Sequence, residues 1–303
     1  MRVVKPIPIS DAQLISSSIS AASSPAWSAS TTYASGARVQ VGRRVYQSLQ
    51  ASNLNHDPSL DAAGAWWVDV GPTNRWAMFD SEINTQSIAT ASMVGTDVSI
   101  SVTIAPGLCN SIALLELAGN TVSVEVKDAS ATVVYSKTLT LDYAVINDWY
   151  SYFFEQDTKL TVVHLEDLPP YTNAQITVVV AGKSEVRLGA LVVGNVYSVG
   201  VTKYGGSVGI NDYSKKSTND FGVTTLVKRS YSKRANFSLT LDLANLDRVY
   251  RLLSELRSTP CLWVGIEDVR YTPTVIFGFY KEFSIDLALP KTNYCSISIE
   301  GMI

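Results

Sequence analysis

The sequence predicts a mainly β protein built from several domains. Three observations carry that expectation. Residues 98–104 and 121–126 alternate apolar and polar side chains strictly, the period-2 pattern of a half-buried strand. Short apolar runs recur between turn signals at residues 105–107, 118–120, 127–129 and 168–170, a spacing that fits a sandwich or jelly roll. Only residues 242–256 show helical spacing, through Leu243, Leu246, Val249, Tyr250, Leu253 and Leu256.

Length and composition set the frame. At 303 residues the chain has room for two domains or three small ones. With 46% hydrophobic and 17% charged residues it lies far from the disordered class. A net charge of −3 argues against a polycation built for duplex nucleic acid, so nucleic acid is not an expected partner. Charge is uneven: residues 1–79 carry +2, residues 80–196 carry −8 and residues 197–303 carry +3, which supports separate modules. Cys109, Cys261 and Cys295 are widely spaced, with no metal or disulfide pattern. They read as buried free thiols made in a reducing cytosol. Pro6 and Pro8 interrupt the N-terminal stretch, so no secretion signal is expected. No run of 18 apolar residues predicts a membrane-spanning helix.

Taken in order, residues 1–26 are serine-rich and end in Pro25; they read as an N-terminal arm, either a flexible tail or a segment that orders on a neighbouring subunit. Residues 27–76 concentrate Trp27, Tyr33, Tyr46, Trp66 and Trp67, and strand-like pieces at 37–41 and 44–49 flank Gly42 as a hairpin. So small a module needs some of these rings for its core. Residues 77–195 predict further strands at 112–117, 132–139, 160–165, 175–180 and 187–193. Residues 196–303 predict strands at 224–228, 236–241, 262–266, 275–280 and 295–300 around the helix, with Asp242 as its cap and Pro260 beyond its end.

The chain offers little catalytic chemistry, and the expectation is a protein that is not an enzyme, with no cofactor and no metal. His56 falls in a loop and His164 in a strand, and neither sits in a metal-ligating or nucleophile-activating motif. Asp148 and Glu155 bracket an aromatic run at 149–154; this suits a glycan cleft, and suits better a loop closing a sandwich end. The glycine-rich residues 204–209 lack the Lys-Ser/Thr of a phosphate loop. The basic stretch 203–234 interleaves Lys215, Lys216, Lys228, Arg229, Lys233 and Arg234 with aromatic residues. That mixture suits single-stranded nucleic acid. A long hairpin that meets an acidic neighbour suits it better, given the acidic middle of the chain.

Residues 27–76 resemble the chitin-binding modules of bacterial chitinases (carbohydrate-binding families 5 and 12). The shared features are Trp27, the turn at 33–36, Val39, Val45, Tyr46, Pro58, Trp66 and Trp67. The resemblance implies a small twisted sheet in which Trp66 or Trp67 offers a sugar platform, with Tyr33 or Tyr46 nearby. The tract at 71–80 looks like those that join such modules to β-sandwiches in bacteriophage tail proteins, where the module serves as a spacer with buried aromatics. Residues 77–195 are similar to galactose-binding-like jelly rolls, through residues 76–80 and 186–194. Residues 196–303 look like the assembly domain of phage tail-tube or distal-tail proteins, a β-sandwich with one helix and a long hairpin.

These resemblances imply a structural component of a phage tail. It would form rings near the tail tip or adaptor, with copies of itself and other tail proteins as partners. Weak contact with host-surface polysaccharide would be strengthened by copy number. The protein would be made in the bacterial host cytoplasm and reside in the virion. The alternative is a soluble, monomeric carbohydrate-binding protein or adhesin.

Overall fold

The structure, a computed structural model, describes residues 1–142, 149, 153, 159–266, 269–287 and 292–303. It is mostly β, with one α-helix whose bounds are described. Two strands come first, β1 (Arg2–Pro6) and β2 (Leu14–Ser17). The aromatic segment holds β3 (Thr32–Tyr33), β4 (Arg38–Val41), β5 (Arg44–Ser48), β6 (Asn53–Leu54) and β7 (Trp67–Pro72). Next come β8 (Ser87–Thr90), β9 (Asp97–Ile104), β10 (Ser111–Leu115), β11 (Thr121–Lys127) and β12 (Val133–Thr140). They are followed by β13 (Val162–Leu165), β14 (Gln175–Lys183), β15 (Glu185–Leu188) and β16 (Ala190–Ser198). The remainder is β17 (Val201–Thr202), β18 (Ser207–Asp212), β19 (Lys215–Thr218), β20 (Thr224–Val227), β21 (Tyr231–Asp242), helix α1 (Leu246–Glu255), β22 (Cys261–Val264), β23 (Val275–Asp286) and β24 (Thr292–Gly301).

A ten-stranded sheet organises the molecule in the order β13-β10-β16-β1-β22-β23-β24-β21-β17, with β18 also on β21. The start of the chain is therefore not a free arm. β1 lies antiparallel between β16 and β22, pairing Val4 with Val196 on one side and with Leu262 on the other. Val3 and Val4 point to opposite faces and both are fully buried, which explains why so short a strand holds its place. β2 closes the edge of a five-stranded sheet, β12-β11-β14-β9-β2. A break at residue 195 is likewise absent, because β16 runs through it unbroken.

Alternation along the strands of the large sheet assigns its two faces. On one face, Ile112, Leu114, Leu191 and Val193 pack with Ile100, Val102, Val124 and Val178 of the five-stranded sheet. This is the sandwich predicted for the middle of the chain. Further along the same face, Val3, Trp263, Leu239 and Ile297 pack under α1 through Val249, Leu252, Leu253 and Leu256. The opposite face carries a third core, shared by both halves, from Val4, Ala113, Val192, Leu262 and Phe277. Each half thus has its own core and the two are joined by a common one.

Two local readings change. Residues 187–193 are two strands, not one. A Cβ at Gly189 would stand 2.7 Å from Glu116 Cβ, and the chain turns there from the small β15–β8 pair into the large sheet. The Asp242 side chain makes no capping hydrogen bond; residues 243–245 form a 3-10 turn before α1 begins. Of the predicted stripe, Leu243 and Tyr250 are exposed, and Leu252 takes a place in the core. The carboxylates Asp148 and Glu155 lie outside the described residues.

Candidate functional site

The aromatic module is built on the β4–β5–β7 sheet, with β3 and β6 paired beside it. Residues 42–43 form the turn between β4 and β5, as expected for Gly42. Val39, Val45 and Trp67 supply the interior. Trp67 is 2% exposed, packs edge-on against Tyr33 at 5.3 Å, and donates its Nε1 hydrogen to the carbonyl oxygen of His56 at 2.8 Å. Asp61 organises the approach. Its carboxylate accepts the backbone N–H groups of Ala65, Trp66 and Trp67 at 3.1, 2.7 and 2.8 Å. Those donors hold its pKa below the usual carboxylate range.

This placement corrects the platform assignment for Trp67: a ring buried in the module has no face for a sugar. Trp66 is half-buried and stacks on the His56 ring at 3.7 Å with 12° between planes, so the imidazole covers one of its faces. Tyr33 and Tyr46 are half-buried, and the Tyr33 hydroxyl accepts the Ser28 N–H at 2.8 Å. The four predicted residues therefore do not form one exposed platform. The module is also tied to the rest of the chain. Arg43, which lies 3.8 Å over the module's own Trp76 ring, pairs with Asp11, and Arg75 donates to the Ile19 carbonyl at 2.9 Å.

The basic stretch forms a long two-part hairpin. β18 and β21 pair from Ser207↔Asn236 to Asp212↔Tyr231, and β19 and β20 continue as a separate ribbon from Lys215↔Val227 to Thr218↔Thr224. Every residue from 215 to 231 is exposed, on both faces of the ribbon. The six predicted interface residues divide. Lys233 pairs with Glu116 at 3.4 Å and Lys216 with Asp212 at 3.7 Å. Lys215, Lys228, Arg229 and Arg234 have no ion-pair partner among the described residues. Phe221, Val223 and Leu226 are 92%, 60% and 68% exposed, which gives the ribbon an apolar as well as a basic character. The sequence marks its charge; its projection away from the sheet is a tertiary property.

One arrangement escaped the sequence reading because its members are far apart along the chain. His164 Nε2 lies 2.9 Å from Ser111 Oγ, and Nδ1 lies 3.4 Å from Glu166 Oε1, which is itself paired with Arg2. The order serine, histidine, carboxylate matches a nucleophile and its base. Ser111, however, is fully enclosed within the large sheet, so its oxygen has no path to a substrate. The cluster is a buried polar inclusion in which Glu166 is held by contacts with His164 and Arg2. Burial, with a smaller contribution from Arg2, pushes the His164 pKa down to about 4. Between about pH 6.5 and 4 the unfolded chain binds a proton that the folded chain refuses, so stability falls as pH drops through that window. The expected loss is about 3 kcal/mol. Urea unfolding of the parent and of His164→Gln across this range checks it: the neutral amide should flatten the dependence, and parallel curves would contradict it.

Among the described residues no group of three His, Cys, Asp or Glu side chains is placed to hold a metal ion, and no helix is long and apolar enough to cross a membrane. All three cysteines are free and buried, and burial raises their pKa values to about 11, 12 and 11 for Cys109, Cys261 and Cys295. They are protonated at neutral pH and poor nucleophiles. No protein-family model matches the chain, and no curated protein matches it in sequence.

Proposed function

We propose that this chain is a non-enzymatic, ring-forming structural component of a bacteriophage tail, sited near the tip or an adaptor. One observation carries the reading: a basic and apolar ribbon, residues 215–227, has every residue exposed and pairs with no further strand among the described residues. An isolated two-stranded hairpin is marginal in water, and one kept this long and this apolar has its stabilising partner elsewhere. That partner is a further copy of the same chain, with other tail proteins above and below the ring. The burial of Trp67 favours the aromatic module as a spacer. Any contact with host polysaccharide falls to the free parts of Trp66 and Tyr46, weak per site and strengthened by the number of copies. The same burial weakens the rival reading of a soluble monomeric glycan binder, which needs an open platform. The protein would be made in the bacterial cytoplasm and end in the virion.

Negative-stain electron microscopy of the purified chain at high concentration tests the reading. Rings or short tubes are expected. A variant in which residues 214–229 are replaced by a two-residue turn should lose them while keeping its circular dichroism spectrum. Isolated particles at every concentration, with retention on chitin that depends on Trp66, would instead support the monomeric binder.

A further inference from the structure

The ring reading leaves open where the ribbon lands, and the strand edges and charges of this chain point to one place. The ribbon of β19 and β20 has two outer edges, and neither pairs with another strand among the described residues. The β20 edge carries no charge of its own; Leu226 and Val227 are exposed, and Lys228 and Arg229 follow directly. An open apolar edge in water is a template for a further strand.

A matching edge lies on β23. Its first residues, Val275 to Gly278, pair with β22. From there to Asp286 it has β24 on one side, and no described strand on the other. Glu282, Ser284 and Asp286 pair in turn with Ser298, Ser296 and Tyr294 and stand on the exposed face. Neither acid has an ion-pair partner among the described residues. Phe283 and Ile285 turn to the other face, beside α1, where Phe283 meets the exposed Tyr250 ring at 6.0 Å. Of the other charges, Lys281 pairs with Glu300 and Asp247 with Arg251 at 3.0 Å, and Arg257 lies near Tyr280.

We propose that β20 of one copy adds to the free edge of β23 in a second copy of this chain. Alternation then fixes the faces. Leu226 falls on the side of Phe283, Ile285 and Tyr250. Thr225 and Val227 fall on the side of Glu282 and Asp286, together with Lys215, which lies across from Val227 in the ribbon. Arg229, two residues past Val227, reaches the same acids. Within one copy the two surfaces lie toward opposite ends of the sheet: β21 pairs Arg234 with Glu300 at the ribbon end, and the acidic edge runs toward Tyr294 and Asp242. The contact is therefore head-to-tail between unlike surfaces, the type that closes into a ring when the rotation per step allows. Backbone pairing supplies the affinity, and the charges set the register and the choice of partner.

This inference rests on the ring reading, and charge swaps separate the two. Sedimentation velocity would be run on the full chain, on Glu282→Lys/Asp286→Lys, on Lys215→Glu/Arg229→Glu, and on an equimolar mixture of the two double variants. The parent should self-associate. Each double variant should weaken association by about tenfold or more, and the mixture should restore it, because every contact in an alternating ring is again between opposite charges. Parent-like association of Glu282→Lys/Asp286→Lys would overturn the β23 edge and leave the ring reading standing. A mixture no stronger than its separate members would also overturn it. A parent that stays monomeric throughout would sink the ring and this contact together.

Discussion

Trp67→Ala is expected to lower the stability of the aromatic module by about 3–5 kcal/mol, the range for deleting a buried tryptophan. The ring is 2% exposed and fills the space between Tyr33 and the backbone at His56, so its removal leaves a cavity and an orphaned carbonyl together. Trp66→Ala should behave differently. That ring is half-buried and its main contact is the His56 stack, so about 1 kcal/mol is expected. Urea unfolding followed by limited proteolysis within residues 27–76 distinguishes them. Equal losses for both would contradict the inside–outside assignment. Retention on chitin gives a separate check: if either ring binds sugar it is Trp66, and a folded Trp67→Phe variant should keep whatever binding the parent has.

Gly194→Ala should destabilise the whole sheet by about 3 kcal/mol, because overpacking against backbone has no easy relief. An added Cβ would stand 2.1 Å from the Lys5 carbonyl oxygen and 3.0 Å from Val4 Cγ1. To make room, β1 must leave β16. In doing so it gives up the joint between the two halves of the large sheet, where Val3 and Val4 sit in different cores. Gly209→Ala is the control: the three atoms nearest its Cβ would all belong to the Arg234 side chain, the closest at 3.2 Å, which can swing away. The expected readout is a lower urea midpoint for Gly194→Ala and a nearly unchanged one for Gly209→Ala. Hydrogen exchange at Ile7, whose N–H bonds the Val193 carbonyl at 2.8 Å, should rise in the first variant only.

The sequence by itself determined what depends on neighbours along the chain. Strict alternation specified β9 and β11, apolar spacing specified the helix, and the residues around Gly42 specified a turn, because each signal is read within one element. The basic and aromatic character of residues 203–234 was legible for the same reason. Only the tertiary structure decided the rest. Val3 and Val4 carry no local sign that they will lie between β16 and β22, strands that begin 190 and 261 residues into the chain. Trp66 and Trp67 are adjacent and chemically alike; the strand pleat and the Asp61 turn send one ring inward and leave the other beside His56. Ser111, His164 and Glu166 meet because β10 and β13 are neighbours in the sheet. Periodicity records which face of an element is apolar, whereas pairing between distant strands depends on the shape and burial of the whole assembly, and no window of sequence contains that information.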